Sequence, residues 1–198
     1  MTIEMFTSLV ALAAAGAFTP GPNNAMVATS GATFGLRRTL PHIAGIALGF
    51  PLMVFLVGFF LAGLFQQSAL LREGLRWLGA AILLWIAWKT ATAGGAATTG
   101  GRPRPLQFIE AAGFQWINPK AWAMAVAITS QFVRGEAPLA SAATVASVFI
   151  AIGILSAGTW TIAGQQIGRF LTSPARRTAF NWVMAALIAG CVVLLLVE

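Results

Sequence analysis

Residues 18–24 read Phe18-Thr19-Pro20-Gly21-Pro22-Asn23-Asn24, inside a run from Met5 to Leu36 that holds no charged residue. The run is longer than the ~20 apolar residues that cross a bilayer, so it reads as a membrane helix. Two prolines within three residues remove two backbone donors and clash with the preceding turn, so that helix must stop there. The stop leaves carbonyls unpaired before it and N–H groups free after it. Such backbone is tolerated at membrane depth only where it is buried in protein or lines a wet cavity. One proline would read as a kink; Pro-Gly-Pro followed by two asparagines reads as a functional break.

Outward from this break the chain repeats the same message. Charge-free runs also cover Thr39 to Leu71, Ala137 to Gly168 and Thr178 to Val197. Of the 198 residues 58% are hydrophobic and 9% charged, against roughly a quarter charged in a soluble domain, which excludes a water-soluble globule. The fold class expected is all-α, a polytopic membrane protein. Its single cysteine, Cys191, excludes an internal disulfide and a zinc ribbon. A net charge of +7 comes as ones and twos between apolar runs, with no basic face for nucleic acid. Met1-Thr2-Ile3-Glu4 lacks the basic start of a secretory signal, so the first helix is expected to be retained.

Six segments emerge: about Ile3 to Met26, Leu40 to Leu64, Ala69 to Ala91, Gln107 to Phe132, Pro138 to Ala163 and Ala179 to Val197. A Gly/Pro-rich linker, 93–105, divides the chain into 1–92 and 106–198. Alternate connections carry Arg37 and Arg38; Lys89, Arg102 and Arg104; and Arg169, Arg176 and Arg177, whereas the opposite side has Arg72, Arg76 and Arg134. The positive-inside rule then puts both termini outside the cytoplasm. A second break, Asn118-Pro119-Lys120, lies 98 residues after the first. Three spans per half invert the second copy, so two inverted three-helix repeats with broken first and fourth helices are expected, the binding site lying where the breaks meet.

Asparagine is a favoured N-cap and proline a favoured first residue, so Asn118-Pro119 starts a half-helix with Lys120 in its first turn. A lysine there adds charge to the positive end of the helix dipole, which points to an anion; the alternative is a side chain snorkelling to the headgroups. Gln115, Asn181, Gln131, Thr159 and Gln165 read equally as pathway residues or interhelical hydrogen bonders. His42 reads as interfacial. The pairs Gly31 and Gly35, Gly45 and Gly49, and Gly164 and Gly168 signal close packing, and permit a homodimer. Glu110 is the carboxylate to test if transport is coupled to protons. There is no GxxxxGK[ST] loop, no metal-ligand cluster and no paired carboxylates, so neither ATP-driven pumping, a metal site nor an enzyme is indicated, and no cofactor is called for.

At the two breaks, Thr19-Pro20-Gly21-Pro22-Asn23-Asn24 and Phe114-Gln115-Trp116-Ile117-Asn118-Pro119-Lys120, with Gly35 and Arg37 between, the chain resembles the LysE/RhtB family of amino-acid exporters over essentially its whole length. The stretch Trp77 to Lys89 is similar to the cysteine and O-acetylserine efflux members, which implies small neutral amino acids; homoserine, threonine and basic amino-acid exporters share the frame. The expectation is a secondary exporter of such an amino acid. Thr19, Pro20, Gly21, Pro22, Asn23, Asn24, Gln115, Asn118, Pro119 and Lys120 are the expected substrate-binding residues. The carbonyls from Phe18 to Gly21 and the side-chain amides of Asn23 and Asn24 are the expected acceptors for the substrate ammonium. The alternative is a metal or inorganic-ion permease of the same superfamily, for which the breaks offer no Cys, His, Asp or Glu.

Overall fold

The computed structural model describes residues 1–61, 104–134 and 136–197, and between them positions 74, 77, 80, 81, 84, 85, 87, 88 and 90–92. The described residues are all-helical, with no strand among them. Most of the third expected segment, and the linker up to residue 103, lie outside the described residues. Helix α1, Ile3–Phe18, is capped by Thr2, whose hydroxyl accepts from the Met5 amide at 3.3 Å. It stops at Thr19, which is extended (φ −60°, ψ 133°) because Pro20 forbids the helical region to the residue before it. Gly21 is also extended, and Pro22 opens α2, Pro22–Leu56, which a π-helical turn prolongs through Val57–Leu61.

The break at 19–21 is therefore present, but the first segment does not end near Met26. Helix continues to Phe34, and a single residue, Gly35 (φ 76°, ψ 168°), separates two arms of α2. Ala28 and Ala32 pack on Gly164 and Gly168, in ascending order, whereas Ala47 and Gly58 pack on Gly153 and Ala142, in descending order. The chain has reversed between the arms. The hairpin brings Ser30 to 3.2 Å from His42 Nδ1, and His42 is buried between the helices. It also leaves the Leu36 amide outside any helical bond, and Gln165 Oε1 accepts from it at 2.8 Å. The φ and ψ of Gly35 belong to a region that is essentially glycine's own. Gly35→Ala is expected to cost about 1–3 kcal/mol, visible as a lower melting temperature of the purified protein in detergent.

One broken helix and two further helices follow in the second half. α3, Phe108–Phe114, runs into a 3-10 turn, Gln115–Ile117, and Asn118 then caps α4, Pro119–Phe132. α5 is Pro138–Phe170 and α6 Pro174–Val197, so α5 runs further than expected and α6 starts earlier. The reason is that a charge marks where a helix leaves the apolar layer, not where it ends. Arg176 and Arg177 sit in the first turn of α6 and donate to the carbonyls of Phe170 (3.2 Å) and Leu171 (2.9 Å), at the negative end of α5.

Two helical stretches, Pro22–Phe60 with its Gly35 reversal and Pro138–Phe170, are long and apolar enough to cross a membrane. Small residues let the helices close. Gly31 lies against the Thr161 carbonyl, Gly164 and Gly168 against the carbonyls of Ala28 and Ala32, and Gly45 and Gly49 against Phe108, Ala111 and Ala112. These glycine seams are internal, so they offer no surface to a second copy. Around them Leu9, Met53, Val54, Val145 and Phe149 form one buried cluster, and Val27, Ile43, Ile46 and Ala157 belong to another. Ala80, Ala87 and Ala91 of the third segment share a third cluster with Met184, Ala185 and Ile188 of α6.

Candidate functional site

The two interruptions face each other. At the first, the carbonyls released at the end of α1 are taken up by side chains from three elements. Asn24 donates its amide to Ala17 O (2.8 Å) and Thr19 O (2.9 Å), and Ser156 of α5 donates to Ala17 O (2.7 Å). Lys120, at the start of α4, reaches back across the break and donates its ammonium to Thr19 O (2.7 Å) and Pro20 O (3.4 Å). The positive end of α4 thus carries its lysine onto the negative end of α1, which removes the like-charge conflict within α4.

The second break is held as closely. Asn118 Oδ1 accepts from the Lys120 amide at 3.1 Å, capping α4. Gln115, fully buried in the 3-10 turn, exchanges two hydrogen bonds with Asn23 (2.9 and 3.2 Å) and donates to Ala111 O (2.9 Å). Trp122 donates its indole N–H to Trp116 O at 2.9 Å, and the two rings meet edge to face at 5.9 Å. Two polar links, Lys120 to Thr19 and Asn23 to Gln115, therefore join the first interrupted span to the second.

Between them lies a half-open cavity, with about 550 Å³ of atom-free space counting the open solvent at its mouth. Of the expected site residues, Gly21, Pro22, Asn23, Asn24, Asn118 and Lys120 line it. Thr19 and Pro20 act through their carbonyls on Lys120, and Gln115 acts through Asn23. For Pro119 only its place as first residue of α4 is described. Glu110 stands apart from the cavity wall, in the first turn of α3. It forms an ion pair with Arg104 (2.7 Å) and accepts from the Gln107 amide (2.8 Å), so it fastens the end of the connecting segment. The hydrogen bond from Arg104 to Glu110 raises the pKa of that guanidinium above its ordinary value.

Sequence reasoning missed much of the wall, including Gly16 from α1, Phe50 and Ile46 from α2, Met124 from α4, and Phe149, Gly153 and Ser156 from α5. One signal was present, the spacing of Gly153, Ser156 and Ala157, a small-residue face of α5. Of the expected acceptors for a substrate ammonium, Thr19 O is already occupied. A carbonyl oxygen has two lone pairs, and Thr19 O already has two donors, as does Ala17 O. Ser156 Oγ spends its proton on Ala17 O and lines the cavity.

The family model described as LysE type translocator matches residues 14–198. Three curated relatives, each called cysteine/O-acetylserine efflux protein, are similar along most or all of their length. That from Klebsiella pneumoniae is 31% identical over 202 aligned residues, covering 100% of both chains. That from Salmonella typhimurium is 31% identical over 89% of this chain and 90% of its own, and that from Escherichia coli is 32% identical over the same shares. No solved structure matches.

Proposed function

The chain belongs to the LysE type translocator family, and from that membership we propose that it is a secondary exporter of a small neutral amino acid or derivative, of the cysteine or O-acetylserine type. The observation that carries the proposal is the cavity at which both broken spans converge, with Lys120 bridging them. The chain works as six spans in two inverted halves, 1–92 and 106–198, joined by the linker 93–105. It sits in the inner membrane with both termini outside, and the Gly35 reversal of α2, with Arg37 and Arg38, and the arginine-bearing ends of α5 and α6 face the cytoplasm, following the charge bias.

The chemistry of recognition is electrostatic. The first-turn amides of Asn23 and Asn24 have no partner one turn back, since Ala25 is the first residue of α2 whose N–H is bonded to the preceding turn, at Gly21 O (2.9 Å). These amides and the Lys120 ammonium receive the substrate carboxylate, as helix N-termini receive anions generally. Ser156 Oγ and Asn118 Oδ1 receive the ammonium. A carboxylate that draws Lys120 away from Thr19 O weakens one of the two links between the interrupted spans. Substrate thus favours the state in which that link is open, which is the differential affinity an alternating-access cycle requires.

Ser156→Ala removes an acceptor for the substrate and a donor to Ala17 O, at a position where the smaller side chain fits. Export of O-acetylserine from preloaded cells is expected to show a half-saturation concentration raised about 10-fold or more, the worth of one hydrogen bond to a charged group, with little loss of maximal rate. An unchanged half-saturation would remove Ser156 from the site. Parent protein that exports neither cysteine nor O-acetylserine would remove the proposal itself.

A further inference from the structure

We infer that Met124 sets the length of substrate side chain that the cavity accepts; the inference rests on the exporter reading and deepens it. Met124 follows Lys120 by four residues on α4, and both line the cavity, so they occupy one wall about 6 Å apart along the helix. Opposite them α1 and the break present glycines. A methyl group at Gly21 would come 2.8 Å from Lys120 Cδ, and one at Gly16 would come 2.5 Å from Met124 Cε. Each α4 side chain thus lies across a glycine, forming one polar rung and one apolar rung.

A carboxylate held at the polar rung sends the substrate's side chain towards the apolar one. That end is walled by Met124, Phe50 and Phe149, with the two phenyl rings edge to face at 5.1 Å, and Ile46 adds to the apolar lining of the cavity. None of these four bears a charge, so a lysine or arginine side chain would lose its hydration there without compensation. About 6 Å matches roughly five bonds of extended chain, counted from the carboxyl carbon. O-acetylserine and norleucine have that length.

The two rungs predict opposite effects. Met124→Ala withdraws three side-chain atoms from the far end and lengthens the space. Gly16→Ala lengthens nothing: its methyl group displaces only the flexible tip of Met124, pushing it into the cavity and shortening the space. The probes are alanine, norvaline, norleucine and 2-aminooctanoate, exported from preloaded proteoliposomes, with ligand-induced thermal shift of the purified proteins as a second readout. The parent is expected to fall off beyond norleucine. Met124→Ala should raise the ratio of 2-aminooctanoate to norvaline by about fourfold or more, the effect of a single buried methylene. Gly16→Ala should lower the ratio of norleucine to norvaline by a similar factor. Met124→Leu, which keeps the volume, is the substitute if the alanine variant fails to fold, and its ratio should move in the same direction by less. Length ratios equal to the parent's in folded variants at both positions would overturn the assignment while leaving the exporter reading intact. A parent that exports none of the series, nor cysteine or O-acetylserine, would overturn both.

Discussion

Replacing Lys120 by methionine should abolish measurable export of O-acetylserine at substrate concentrations that saturate the parent. The side chain keeps its apolar stem against Gly21 but loses the ammonium, and with it the charged partner of the substrate carboxylate. Hydrogen bonds to charged groups contribute about 1.5–3 kcal/mol, so binding alone should weaken roughly 10- to 150-fold. A second loss follows on the protein's own side. Thr19 O retains Asn24 as a donor, but Pro20 O loses its hydrogen bond from Lys120, and the link between the two interrupted spans is reduced to Asn23 and Gln115. Lys120→Arg tests the geometry separately from the charge. The guanidinium is planar and broader than an ammonium, and Gly21 leaves no slack along the stem, so the charge is kept while the seat on Thr19 O is lost. It is expected to restore only part of the activity. The check is export rate against substrate concentration, beside the melting temperature of each purified variant. Export by folded Lys120→Met at the parent's rate would show that the ammonium serves structure alone.

Both interruptions were legible in the sequence because proline acts locally. Pro20 and Pro22 stop α1, and Asn118-Pro119 caps and opens α4, whatever else surrounds them. What Lys120 touches was not legible. Its acceptors, Thr19 O and Pro20 O, are 101 and 100 residues away, and only the packed spans bring them together. The lysine was read as a charge in want of an anion, yet part of that want is met inside the protein, by the carbonyl end of α1. Helix limits failed for a related reason. The apolar runs are bounded by Arg169 and Arg177, but arginines can extend a helix and bond the previous helix's carbonyls, so α5 and α6 outrun them. Ser156, Phe149 and Met124 were hidden because serine, phenylalanine or methionine in an apolar helix looks like packing until the opposite wall is known.

The glycines divide in the same way. Gly31 and Gly35 fit one packing spacing, but the first lies in a helix seam while the second is the chain reversal itself. Only backbone geometry separates them. Gly16 and Gly164 differ again, although both have neighbours inside contact distance. What meets an added methyl at Gly16 is the tip of a methionine, which can turn aside, whereas at Gly164 it is the carbonyl oxygen of Ala28, with Ala28 Cα at 2.8 Å.

That contrast sets the second large expected effect. Gly164→Ala should destabilise the protein by more than the ~1–3 kcal/mol typical of an overpacked site, since no side chain can move to accept the methyl and whole helices must separate. The separation cannot stay local. Gly168 against Ala32 and Gly31 against Thr161 lie on the same seam between α5 and the first arm of α2, so a shift at one position opens all three. That arm begins at Pro22 and carries the amides of Asn23 and Asn24 at its amino end, so moving it also displaces the proposed carboxylate seat. Gly164→Ala is therefore expected to lower both the melting temperature and the export rate, whereas Gly16→Ala should leave the melting temperature near the parent's and alter only which side chains pass. Measuring both variants together separates rigid contact from adjustable contact. A Gly164→Ala protein as stable as the parent would mean that α2 and α5 do not approach each other along this seam in the membrane.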